Sequence, residues 1–248
     1  MRTMVVGASS GLGRTVAIGL AQKGHQVAMV GRRKDRVEGA AEEAGNGAIA
    51  VPADAIEPGE CASAVAQVVA AFGGIDALVY TPGVGPLTPI EDIDRDTWRS
   101  TFDTNVVGAA LMTSAALPHL LESKGSAAYF SSISASQTGP WPGLAGYAVT
   151  KAALDKLIDA WRVEHPSVGF TRVVVGDTAG GPGHATTEFA NGWDPDLAMR
   201  FGPQWAAKGY LAGALLDPNE LIRVVEMAIT SDGVTSIPTV VVTPRSTM

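Results

Sequence analysis

Tyr147 and Lys151 stand four positions apart at the start of a strongly helical stretch, a spacing that places them one turn apart on the same face. A free phenol, with a pKa of about 10, is a poor base at neutral pH. An ammonium beside it stabilises the phenolate, and lowering the phenol by three units takes about 4 kcal/mol. Such a group can give a proton to a carbonyl oxygen or take one back. Two further polar features precede the pair. The stretch Phe130-Ser131-Ser132-Ile133-Ser134 offers a hydroxyl to the same oxygen, and Asn105, in Thr104-Asn105-Val106, can hold a water that links the lysine to solvent. A mid-helix asparagine also serves simply to bond a backbone carbonyl, and the residue type leaves both roles open.

A proton donor of this kind needs a second reactant, and the N-terminus supplies a place for one. The first β-branched run leads into Gly7-Ala8-Ser9-Ser10-Gly11-Leu12-Gly13 and then an apolar helix. Gly7 permits a tight turn, Gly11 lets the backbone approach a pyrophosphate, and Gly13 lets the helix pack on the sheet. The helix start then offers free N–H groups and partial positive charge to phosphates. Gly7, Ser9, Ser10, Gly11, Leu12 and Gly13 are therefore the expected dinucleotide cradle. The next strand ends Val30-Gly31-Arg32-Arg33, where an acid would bind a ribose 2′-hydroxyl. Arginine instead suits a 2′-phosphate, so NADP(H) is expected over NAD(H). Solvated charges at a helix start are the competing account, but cations there oppose the helix dipole. Arg14 offers a second positive charge. Asp54, shortly after the third strand, is placed to accept from the adenine amino group, or equally to cap a helix or close a turn.

These groups must be positioned by a scaffold. Short apolar runs at Thr3–Val6, Gln26–Val30, Ala48–Val51, Ala77–Tyr80, Ala127–Ser131, Thr171–Val175 and Thr239–Val242 read as strands buried on both faces. Helical stretches near 12–23, 33–44, 59–72, 95–122, 146–164 and 218–230 separate them. The alternation predicts βαβ units and a single doubly wound α/β domain of Rossmann type with a parallel sheet. The segment Gly176–Leu216 is rich in Gly and Pro yet carries Phe189, Trp193, Met199, Phe201, Trp205 and Tyr210. It reads as a lid or pocket wall within the domain; a packed helical subdomain or a subunit interface is the alternative.

Composition narrows the partners. A net charge of −7 and a pI near 5.1 disfavour nucleic acid and anionic membrane. The lone Cys61 allows no disulfide within the chain and fits a reducing compartment. With neither a leader pattern nor an apolar run of about 18 residues, the expectation is a cytoplasmic protein. The four histidines show no metal spacing, and His184 alone sits where it can face a substrate.

Taken together, the glycine turn, Asp54, Asn105, the serine cluster and Tyr147-x-x-x-Lys151, in that order, resemble the short-chain dehydrogenase/reductase family over nearly the whole chain. The resemblance implies seven parallel strands, Tyr147 as acid/base, Lys151 lowering its pKa and binding the nicotinamide ribose, a serine polarising the carbonyl, and Asn105 maintaining a proton relay. It further implies hydride exchange between the nicotinamide cofactor and a small-molecule carbonyl or secondary alcohol, and a homodimer or homotetramer built on helices 95–122 and 146–164. Strand alignment favours Ser132 as that serine, whereas the family's usual spacing favours Ser134. The chain departs from the family pattern at Tyr80-Thr81-Pro82-Gly83, where only the glycine survives to approach the ribose. It departs again at Gly176-Asp177-Thr178, where Thr178 is the candidate for the carboxamide. A cofactor-binding sensor without chemistry is the rival account. The aromatic loop and Trp141 point to an apolar, bulky substrate.

Overall fold

The central strands carry continuous apolar runs, such as Met4–Val6, Ala77–Tyr80 and Ala127–Phe130, because both of their faces are covered. In the computed structural model, which describes residues 1–181, 183–231 and 234–245, the strands are β1 (Arg2–Val6), β2 (Gln26–Gly31), β3 (Ile49–Pro52), β4 (Ala77–Tyr80), β5 (Ser126–Ser132), β6 (Gly169–Val175) and β7 (Thr239–Val242). All pair in parallel, in the order β3-β2-β1-β4-β5-β6-β7. The helices are α1 (Gly11–Gln22), α2 (Lys34–Ala44), α3 (Pro58–Phe72), α4 (Arg95–Phe102), α5 (Gly108–Ser123), α6 (Ile133–Ser136), α7 (Ala145–Glu164), α8 (Pro195–Ala207) and α9 (Pro218–Ile229). This is the doubly wound Rossmann-type α/β architecture, with a seven-stranded parallel sheet.

The strand pleat sends alternate residues to two cores. Met4 and Val6 of β1 join Leu78, Tyr80, Ala127 and Tyr129 against Cys61 and Val68 of α3, Met112 and Leu120 of α5 and Leu154 of α7. Val5 joins Val27, Met29, Val79 and Phe130 against Val16 and Leu20 of α1 and Leu221 and Val225 of α9. Each such aliphatic side chain contributes about 1.5–3 kcal/mol on burial. Cys61 is a small core residue, almost fully buried.

The expected helix 95–122 is interrupted. A π-helical turn, Asp103–Val107, separates α4 from α5 and carries Asn105 at its centre, a kind of bulge that often marks functional sites. By length and composition the rod Arg95–Ser123 suffices to cross a bilayer. In this fold, however, Ala109, Met112, Ala116 and Leu120 lie in the core. The aromatic segment after β6 is not all loop. Asp194 caps α8 through the N–H of Asp196, with Pro195 in the first turn. Phe201 and Trp205 of α8 pack with Leu87, Trp141 and Leu144 in a third apolar cluster.

The order reverses between β1 and β4. Their C-terminal ends, followed by the glycine turn and by Thr81–Gly85, form the switch-point crevice where such sheets bind ligands.

Candidate active site

The glycine turn is pinned to the sheet by the Gly7 and Ala8 N–H groups, which donate to Val30 O at 2.9 and 3.0 Å. Gly7 and Gly11 have φ of +86° and +56°, backbone that favours glycine. A methyl group on Gly13 would sit 2.3 Å from Gly7 O, so turn and helix can meet this closely only at a glycine. Ser10 precedes α1 without capping it through its side chain, leaving first-turn N–H groups for an anion. Leu12 packs on the α1-side core.

The two arginines after β2 diverge. Arg33 donates to Ser9 Oγ at 3.0 Å and Ser10 Oγ at 2.9 Å. Arg32 lies out in solvent with its nearest acid, Asp54, at 3.8 Å. Asp54 accepts from the Ile56 N–H at 3.2 Å, an Asx turn. Glu57, not Asp54, precedes α3. Arg14 does not supply the second cation expected at the phosphates: its guanidinium is buried and paired with Glu43 at 2.6 Å.

An anion already rests in this cradle, and it belongs to the chain itself. Glu188, from the segment after β6, lies 2.9 Å from Arg33 Nη2 and accepts from Ser10 Oγ at 3.1 Å. Its carboxyl is held below the usual carboxylate range, first by the hydrogen bond from Arg33. A donor set that grips a carboxylate in this way has the chemistry to grip a phosphate, and with the glycine turn beside it a dinucleotide fits these residues.

Across the crevice, α7 presents Tyr147 and Lys151. The Lys151 amine donates to Phe130 O at 2.7 Å and Pro82 O at 3.2 Å and stands 5.9 Å from the centre of the Tyr147 ring. Burial lowers its pKa to about 8, and Asp155, one turn further on, acts against that. The protein's own groups, without the positive charge of a nicotinamide on which the lowering also draws, leave the phenol raised. Tyr147 keeps a partly accessible ring, but dense surroundings push its hydroxyl up to about 12, with the facing Ser132 hydroxyl pulling the other way. Ser132, at the end of β5, lies 3.0 Å from Ser134 Oγ. Both serines are buried, and Ser132 is the one that faces the phenol.

Asn105 anchors rather than lines the site. Its Oδ1 accepts from the Val84 N–H at 2.8 Å, and its amide donates to Val84 O at 2.9 Å and Thr150 Oγ1 at 2.8 Å. The loop after β4 is thereby locked to α7 one residue before Lys151. Gly83 sits under the lysine, where a methyl group would meet Nζ at 3.1 Å. Thr178 is turned into its own loop, accepting from the Gly180 N–H at 3.2 Å and donating to Leu216 O at 3.4 Å. His184 Nδ1 receives the Arg36 guanidinium at 3.0 Å.

A chain of rings leads to the phenol. Tyr210 stacks on Trp141 at 5.6 Å, and Trp141 meets Trp205 at 5.5 Å. Trp205 meets Trp193 at 6.0 Å, Trp193 meets Phe189 at 5.5 Å, and Phe189 meets Tyr147 at 4.8 Å. Glu188 and Thr150 are site residues that sequence reasoning did not single out, whereas Phe189 was among the aromatics of the expected lid. Only the acid beside that aromatic in a glycine-rich segment hinted at Glu188.

The chain belongs to the short chain dehydrogenase family, whose sequence profile matches residues 2–196. It is similar to the 11-beta-hydroxysteroid dehydrogenase-like 2 protein of Arabidopsis thaliana, at 35% identity over 179 residues covering 70% of this chain and 58% of that protein. Its fold matches that of an alcohol dehydrogenase from the archaeon Thermococcus sibiricus complexed with 5-hydroxy-NADP, with a TM-score of 0.81, 22% identity, and coverage of 99% of this chain and 96% of that one. A 3-ketoacyl-(acyl-carrier-protein) reductase from Brucella melitensis complexed with NADH aligns with a TM-score of 0.79, 25% identity, and coverage of 97% of this chain and 96% of that one.

Proposed function

We propose that this protein is an NADP(H)-dependent oxidoreductase that interconverts a bulky, apolar ketone and its secondary alcohol, with Tyr147 as proton donor and acceptor. The observation that carries this reading is the Tyr147 phenol, facing the Ser132 hydroxyl and flanked by Lys151, beside a phosphate cradle at the sheet's switch point. A nicotinamide bound there would supply or accept the hydride at the carbonyl carbon.

The side chains divide the remaining work. Tyr147, protonated at neutral pH, donates to the carbonyl oxygen. Ser132 donates to the same oxygen and stabilises the charge that develops on it. Lys151, charged below about 8, stabilises the phenolate left behind. Asn105 keeps the Val84 loop and α7 in register. Gly7, Gly11, Leu12 and Gly13 would hold the diphosphate side, Ser9 and Ser10 stand with Arg33 at the 2′-phosphate, Gly83 leaves room beside Lys151, and Thr178, the candidate for the carboxamide, would first have to give up its bonds to Gly180 and Leu216. Arg33, backed by Ser9 and Ser10, favours a 2′-phosphate. The Brucella structure holds NADH, so preference rests on these residues and not on the family. The ring chain that reaches from Tyr210 through Phe189 to Tyr147 supports reading the segment 176–216 as a substrate wall and lid and the substrate as apolar.

The test is NADPH consumption with a panel comprising a steroid ketone, a bulky aryl ketone and a small aliphatic ketone. The expected result is turnover of a bulky ketone with higher kcat/KM for NADPH than for NADH. Tight NADPH binding with no turnover of any ketone would favour a sensor, and equal efficiency with the two cofactors would overturn the preference.

A further inference from the structure

We propose that Glu188 and Phe189 act as a built-in plug in which Glu188 occupies the site of the cofactor's 2′-phosphate and Phe189 covers the phenol of Tyr147. Cofactor binding then displaces both and uncovers the catalytic side. The inference rests on the NADP(H) reading above and extends it to what decides affinity.

Four contacts place the carboxylate. Glu188 Oε1 accepts from Arg33 Nη1 at 3.1 Å and lies 3.8 Å from Arg36 Nη1, while Oε2 accepts from Ser10 Oγ at 3.1 Å and lies 2.9 Å from Arg33 Nη2. Arg33 and Ser10 are the groups assigned to phosphate, so carboxylate and phosphate cannot hold them together. The backbone beside Glu188 also lies on the turn, since a methyl group on Gly11 would come 3.4 Å from Thr187 Cα. The plug has a built shape. Gly180 and Thr186 pair in an antiparallel bridge, the Thr187 N–H donates to Ala179 O at 2.9 Å, and the Phe189 N–H donates to Thr187 Oγ1 at 3.2 Å.

The next residue carries the movement to the chemistry. The Phe189 ring fills the space over Gly85, where a methyl group would meet its Cζ at 2.5 Å and Tyr147 Cδ2 at 3.1 Å. Trp193 backs it and is held by Gly85 O at 2.8 Å. Because the backbone at Thr187 lies on the Gly11 turn, a cofactor seated there shifts the chain, and that shift carries Glu188 from Arg33 and the adjacent Phe189 ring from Tyr147. A protein whose binding-competent state is only partly populated binds its ligand more weakly by that fraction, and loss of the Glu188 charge removes that penalty.

The test is calorimetric titration of wild type, Glu188→Gln and Arg33→Ala with NADPH, NADH, adenosine 2′,5′-bisphosphate and ADP. Glu188→Gln preserves size and, at an accessible position, folds normally. The proposal expects it to tighten NADPH and the bisphosphate about tenfold, with a much smaller change for NADH and ADP. It also expects saturating bisphosphate to change tryptophan emission in wild type but not in Trp193→Phe. Unchanged or weaker bisphosphate binding by Glu188→Gln, with Arg33→Ala still abolishing the NADPH preference, would overturn the plug and leave the cofactor reading standing. Equal wild-type affinity for NADPH and NADH, insensitive to Arg33→Ala, would instead remove the reading beneath it.

Discussion

Asn105 and Thr150 are joined by a 2.8 Å hydrogen bond between elements 45 residues apart in sequence. With its two bonds to Val84, this bond makes Asn105 the clasp between the loop after β4 and the helix that carries Tyr147 and Lys151. Asn105→Ala removes three hydrogen bonds, two to the Val84 backbone and one to the buried Thr150, each worth about 0.5–1.5 kcal/mol net. A destabilisation of about 2 kcal/mol is expected, lowering the melting temperature by about 4–8 °C. Thermal denaturation followed by circular dichroism checks it.

The two buried serines separate by position. Ser132 faces the phenol, and Ser134 Oγ lies 3.0 Å from Ser132 Oγ. Removing a donor aimed at a developing oxyanion costs about 10²–10³ in kcat. Ser132→Ala is expected to lose turnover on that scale and Ser134→Ala only a few-fold, as measured by steady-state kinetics on the same ketone. The reverse order would move the role to Ser134.

The pH dependence follows from Lys151. Burial brings its amine from 10.5 down to about 8, so the positive charge is complete well below pH 8 and is lost as pH rises through that value. For ketone reduction, kcat/KM is expected to be flat below neutrality and to fall with a midpoint near 8. Asp155 raises the lysine's pKa, and its own carboxyl is raised first by burial, with Arg172 at 3.9 Å. Asp155→Asn removes a negative charge, so the falling limb should move to lower pH, as read from pH–rate profiles of wild type and variant. A limb that stays in place would show that the lysine does not set it.

Much of the scaffold was legible locally. Gly7, Gly11 and Gly13 after a β-branched run could have meant little except a turn approaching phosphates. The strands betrayed themselves by being apolar without alternation, and Tyr147 and Lys151 by a one-turn spacing. What escaped depended on distant partners. Glu188 and Arg33 meet across 155 residues, and no local pattern joins them. The rise of the Tyr147 pKa comes from the protein packed around it, which spacing alone does not reveal. The π turn at Asn105 hides in an unbroken helical pattern. Helix α8 was missed because Gly202 and Pro203 suggest loop, although Asp194-Pro195 is an ordinary helix start.

The central claim is that the phenol of Tyr147 exchanges the proton while hydride passes. Turnover of NADPH by Tyr147→Phe, measured together with its NADPH dissociation constant, tests it most directly. The account predicts a loss of about 10²–10⁴ in kcat, the scale of general acid catalysis, with NADPH binding essentially retained. Turnover equal to wild type in a variant that still binds NADPH would contradict it.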